Sequence, residues 1–152
     1  MKIEVKLKEL GLTLPKPQHP LGAYVPSVRV GDLVFLSGQG PLKNGKPTVT
    51  GKVGKDLTEE EGYNAAKEVA LGLLSALKAE VGDLDKVKRI VKLLGFVNSA
   101  VGFTKQPLII NGASEIFVQV FGNKGKHARS ALGINELPLN IPVEIELIVQ
   151  VE

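Results

Sequence analysis

At 152 residues, 43% hydrophobic and 23% charged, the chain has the size and composition of one globular domain, with no run of 18 apolar residues that would cross a membrane as a helix. It contains no cysteine and only two histidines, His19 and His127, which excludes disulfides and thiolate chemistry and leaves zinc or any other metal short of ligands. The net charge of +3 arises from 19 basic and 16 acidic residues interspersed along the chain, and the densest basic stretch, Lys124 to Arg129, holds no aromatic residue, so nucleic acid is not an expected partner.

Residues 1–21 are polar and punctuated by Pro15, Pro17 and Pro20, and read as an extended lead-in. The opening MKIEVKLKELG mixes both charge signs where a signal peptide has an apolar core, so the cytoplasm is the expected location. Tyr24–Val30 and Leu33–Ser37 are β-prone runs separated by Gly31-Asp32, the spacing of a hairpin with a primed turn. Gly40–Leu57 is rich in glycine and proline and reads as an irregular excursion, with a short strand near Thr48–Val53. At 18 residues it is long for an idle connection, which marks it as a functional loop or an oligomer contact.

Thr58-Glu-Glu-Glu61 has the form of a capping box, worth about 1 kcal/mol. Behind it Ala65, Ala66, Val69, Ala70, Leu73, Leu74 and Leu77 recur at helical spacing and predict a helix ending near Val81, before Gly82. Gly72 within that helix costs about 1 kcal/mol against alanine, which close packing on a sheet would explain. Val87–Asn98 reads as a strand whose second half, Leu93–Val97, is apolar on both faces. Helices can cover one face; the other then calls for a second subunit. Pro107–Phe121 fits a second helix, with proline near its first turn and Gly122 at its end. The last strands are Ala128–Ile134 and Val143–Val151, the latter with Glu144, Glu146 and Gln150 on one face. This order, ββ(β)αβαββ, predicts an α+β protein with a single mixed sheet and two helices packed on one face.

Several residues could carry chemistry. Arg129 lies in an otherwise small, apolar strand. Its guanidinium is either paired with a glutamate of the last strand or serves as a bidentate clamp for a ligand carboxylate. Glu144 either belongs to a solvated, salt-bridging face with Glu146 or positions and deprotonates a water. Ser37-Gly38-Gln39-Gly40 ends a strand in a glycine-rich bend whose N–H groups suit an oxyanion, without the spacing of a phosphate loop. Tyr24 is a half-buried strand tyrosine or a hydroxyl donor, and Asn111 caps the second helix or orients a ligand. His127 shares a strand face with Arg129, as an exposed edge residue or a catalytic one.

Taken in order, Gly22-Ala-Tyr-Val25, Leu36-Ser-Gly-Gln39, Gly95-Phe-Val-Asn98, Ala128-Arg-Ser130, Leu137-Pro138 and Val143-Glu-Ile-Glu146 resemble the RidA/YjgF family over residues 22–151, in a divergent branch. The resemblance implies a chorismate-mutase-like fold, a homotrimer with clefts between subunits, and hydrolysis of reactive 2-imino acids or enamines to 2-keto acids and ammonia without a bound cofactor. It assigns Arg129 to the substrate carboxylate and Glu144 to the attacking water. Tyr24, Ser37, Gly38 and Asn111 fall on cleft-lining positions, and Ala131 stands where the family often has a cysteine. Two other readings share this frame: a trimeric carboxylate-binding regulator without turnover, and the endoribonuclease label attached to the family.

Overall fold

The computed structural model describes residues 1–152. Its centre is a five-stranded sheet in the order β1-β2-β7-β5-β6, formed by β1 (Ser27–Val30), β2 (Leu33–Gln39), β5 (Val87–Asn98), β6 (Ala128–Ile134) and β7 (Val143–Val151). All neighbouring pairs are antiparallel except β5 and β6, whose parallel pairing is bridged by helix α3 (Gln106–Phe121). A small hairpin, β3 (Leu42–Lys43) with β4 (Lys46–Pro47), stands apart from the sheet. Helix α2 (Glu59–Val81) packs beside α3 on the same face, and the core lies between them and the sheet.

The local rules explain most of this. Gly31 has φ +61° and Asp32 a negative φ, so the β1–β2 turn carries its one left-handed residue first, as a two-residue II′ turn does. The capping box is present in both directions: Thr58 Oγ1 accepts from the Glu61 N–H and Glu61 Oε1 from the Thr58 N–H, each at 3.1 Å. Gly72 has a specific cause. A Cβ there would stand 2.8 Å from Oε1 of Gln39, a residue of β2 that is only 6% exposed, so an alanine would require the buried Gln39 side chain to shift.

Three expectations require correction. The lead-in is not simply extended, because Lys2–Glu9 forms a helix, α1, whose Leu7 is buried in the core and which packs on α3 and the turn at Leu84–Lys86. The molecule therefore has three α-helices rather than two. The first strand begins at Ser27 rather than Tyr24, since Pro26 has no N–H to extend the ladder and contributes only its carbonyl, to the N–H of Ser37. Thr48–Val53 is not a strand. Val53 alone bridges to Leu57 and to Ser99, and the excursion is fastened instead by Lys52, whose Nζ donates to Asn98 Oδ1 at 2.8 Å and to the Asn135 carbonyl.

The sheet face away from the helices is uncovered. Leu94 and Phe96 point there from β5, half-buried, while Leu93 and Val97 point into the core. Phe35 at 41% exposure and Leu132 at 49% lie on the same open face. No helix is long and apolar enough to cross a membrane.

Candidate functional site

The predicted residues divide into two groups on opposite faces of the sheet. The first surrounds Arg129. In the β5–β6 register Arg129 lies opposite Leu93, and Ala131 opposite Gly95, so both side chains are directed to the helix side at the open edge of β6. There Nη1 of Arg129 donates to Asn111 Oδ1 at 2.8 Å and to Ser114 Oγ at 3.1 Å, both on α3, and Nη2 makes a long 3.5 Å contact with the Pro107 carbonyl. None of the ion pairs in the chain includes Arg129. The structural alternative of a glutamate partner from the last strand is thereby overturned. Glu144 and Glu146 stand on the other face, and the cation has neutral partners only. Burial pulls its guanidinium below the usual value, yet an arginine remains charged. Asn111 sits inside α3, not at its end, so it does not cap the helix; its Oδ1 accepts from Arg129 instead.

The second group includes Glu144, which the β7 register places opposite Phe96, on the open face. The pairing of β2 with β7 slips by one residue between Leu36 and Gln39, a β-bulge that brings Ser37 and Gly38 alongside this carboxylate. A Cβ on Gly38 would lie 3.0 Å from Glu144 Oε2, so the absent side chain is what lets the carboxylate approach the backbone. Ser37 Oγ donates to the Val25 carbonyl at 2.7 Å. Tyr24 lies before β1, 51% exposed, and lines a small cavity with Gln18, His19, Pro26, Ser37 and Gly38, which sets aside its reading as a half-buried strand residue. Burial, and then the neighbouring charge of Glu146, raise the Glu144 carboxyl above the usual carboxylate value.

Sequence reasoning did not find Ser114, although it stands three residues beyond Asn111 on the same helix, the spacing of a shared face. It also missed Lys52, whose bonds to the fully buried Asn98 and to the Asn135 carbonyl hold the excursion to the ends of β5 and β6. No cluster of metal-ligating side chains is present.

Arg129 and Glu144 are two strands and three residues apart and on opposite faces, roughly 14 Å along the sheet by strand spacing and rise. The architecture of one mixed sheet with helices on a single face is that of the chorismate-mutase-like α+β proteins. Residues 4–151 match the family model described as "YjgF/chorismate_mutase-like, putative endoribonuclease", and the chain belongs to this YjgF/RidA family. It is 41% identical to Protein TCP17 of Trypanosoma cruzi over 150 residues, covering 98% of this chain and 94% of that one. Identity to the 2-iminobutanoate/2-iminopropanoate deaminase of Dermatophagoides farinae is 31% over 142 residues, 93% and 95% of the two chains. The crystal structure of Atu1372 from Agrobacterium tumefaciens, a protein of unknown function, superposes with a TM-score of 0.92 at 45% identity, covering 99% of this chain and 93% of that one.

Proposed function

We propose that the protein hydrolyses small 2-imino acids, or their enamine tautomers, to 2-keto acids and ammonia, in clefts that two copies of the chain build together as a homotrimer. The observation that carries this reading is the Arg129 guanidinium, charged and oriented, with neutral partners only. A planar fork in that state suits a carboxylate. Glu144 is the complementary half. Its raised pKa favours proton exchange with water closer to neutral pH than an ordinary carboxylate allows.

A ligand with a backbone only a few atoms long cannot span roughly 14 Å and cross the sheet, so one copy would supply Arg129, Asn111 and Ala131 and another Glu144, Tyr24, Ser37 and Gly38. The uncovered apolar face is a surface on which such copies can meet. In the cleft, Glu144 takes a proton from water as the water oxygen bonds to the carbon of the protonated imine and the C=N π pair moves to nitrogen, giving a neutral carbinolamine. The same carboxyl then returns the proton to nitrogen, the C–N pair departs with ammonia, and the hydroxyl proton passes back to the carboxylate as the keto C=O forms. Arg129 fixes the carboxylate, so the electrophilic carbon faces the water. No cofactor is required by these steps.

An amino-acid oxidase that generates the imino acid, with semicarbazide to capture it, tests the reading. Wild type is expected to lower the captured signal and Arg129→Ala to lower it far less. Equal capture with and without wild-type protein across several amino acids would reject turnover. Calorimetry with 2-ketobutyrate then decides whether the chain is instead a carboxylate-binding regulator. The endoribonuclease label has less support: His127 is engaged by Ser114 and Gly125, and His19 stands in the lead-in, so no histidine pair is offered for RNA cleavage.

A further inference from the structure

Arg129 ends a chain of hydrogen bonds that has a direction. The Gly125 carbonyl can only accept, so its 2.7 Å contact fixes the proton of His127 on Nδ1 and leaves Nε2 bare. Nε2 stands 2.9 Å from Ser114 Oγ and therefore accepts its hydroxyl hydrogen. With that hydrogen committed, Oγ turns a lone pair to Nη1 of Arg129 at 3.1 Å. Nη1 uses its other hydrogen on Asn111 Oδ1 at 2.8 Å. Both Nη1 hydrogens are thus held inward by neutral acceptors and one Nη2 hydrogen makes the long contact with the Pro107 carbonyl, which leaves the Nε hydrogen and the other Nη2 hydrogen as the fork for a ligand.

We propose that His127, acting through Ser114, is a positioning residue that locks the Arg129 guanidinium in its carboxylate-receiving orientation, and that protonation of the imidazole releases it. This rests on the reading of Arg129 as the carboxylate-holding group. A protonated His127 turns Nε2 from acceptor to donor. Ser114 must then rotate its hydrogen away and offer its lone pairs to two cations at once, which weakens its hold on Nη1 and leaves Asn111 as the one firm acceptor. Asn111 alone does not fix a planar group about both of its axes.

The surroundings favour the neutral ring. Burial lowers the His127 pKa, the hydrogen bond to the Gly125 carbonyl opposes it less strongly, and the charge of Arg129 adds a smaller lowering effect. Phe117 of α3 meets the imidazole edge-on, with ring centres 6.1 Å apart. The only charged residue of α3, Glu115, accepts a hydrogen bond from Tyr63 of α2. Lys124 on the preceding turn is exposed, and Lys92 of β5, in register with Ala128, lies on the opposite face. No carboxylate is hydrogen-bonded to His127 to stabilise its charge.

The test is nuclear magnetic resonance of the full chain. Long-range nitrogen–proton correlations report the His127 tautomer, and relaxation of the Arg129 Nε–H reports guanidinium order. Expected at pH 7.5 are the Nδ1–H tautomer and an order parameter near that of rigid backbone, about 0.85. Order should fall below about 0.6 in Ser114→Ala, stay high in Ser114→Thr, and fall in wild type as pH is lowered through the His127 titration. An Nε2–H tautomer, or order that neither Ser114→Ala nor the titration changes, would overturn the relay; the wild-type titration decides it even if a variant does not fold. Calorimetry with 2-ketobutyrate is expected to show about tenfold weaker binding in Ser114→Ala. Failure of wild type to bind 2-ketobutyrate would overturn the carboxylate role, while the order parameters still decide the relay.

Discussion

The two halves of the candidate site are built in opposite ways. At the edge of β6, Arg129 is held by Asn111 and Ser114 of a helix, with further support from His127. At the β2–β7 bulge, burial and the like charge of Glu146 raise the Glu144 carboxyl above the usual carboxylate value. One half is pre-oriented; the other leaves its charge poorly satisfied. A group that must hold a fixed ligand charge benefits from a rigid fork, whereas a group that must trade a proton benefits from an unfavourable charged state.

The largest expected effect lies on the reactive half. Glu144→Gln should lower kcat by about 10²–10⁴, the usual contribution of a general base, measured by the oxidase-coupled capture assay. The same variant should be slightly more stable at neutral pH. A carboxyl whose folded pKa is raised imposes no penalty below its unfolded pKa and a full one above its folded pKa, so stability is lost as pH rises between the two. Discounted for partial exposure, removal of the charge should raise Tm by roughly 1–2 °C at pH 7 and not at all near pH 3. A loss of stability at pH 7 would show that Glu144 is held by interactions the fold does not display.

On the oriented half, Arg129→Ala should reduce kcat/KM by about 10–100-fold, the worth of a charge-assisted contact. Arg129→Lys should recover little, because an ammonium cannot bond Asn111, Ser114 and a carboxylate in one plane. Full rescue by lysine would mean that only charge matters there. The smallest effect tests the join between backbone and base. Gly38→Ala places a methyl 3.0 Å from Glu144 Oε2 in a backbone conformation alanine tolerates. Displacement of the carboxylate should cost about tenfold in kcat, with Tm nearly unchanged in a thermal melt.

Much of the framework was readable because local signals agreed. The Gly31-Asp32 turn, the Thr58–Glu61 box and the 3.6-residue stripe of α2 each fix their own backbone. Helix α1 escaped because Ile3, Val5 and Leu7 alternate like a strand, and only contact of Leu7 with the core reveals the helical arrangement. The bulge at Ser37-Gly38 is a property of pairing with β7 and has no local signature beyond the glycine. Of the site, Arg129 and Glu144 could be named from the strands that carry them. Their separation on opposite faces could not, because it depends on a strand order in which β6 and β7 both flank β5.

That separation leads to the most direct measurement: co-expression of differently tagged Arg129→Ala and Glu144→Gln chains, purification of the doubly tagged oligomer, and assay of imine hydrolysis. A cleft that draws its arginine from the Glu144→Gln chain and its glutamate from the Arg129→Ala chain is intact, whereas the reverse pairing lacks both groups. Every mixed trimer holds one intact cleft, so the purified mixed oligomer should regain about a third of wild-type activity from two impaired parents. Mixed oligomers no more active than either parent would contradict a site shared between copies.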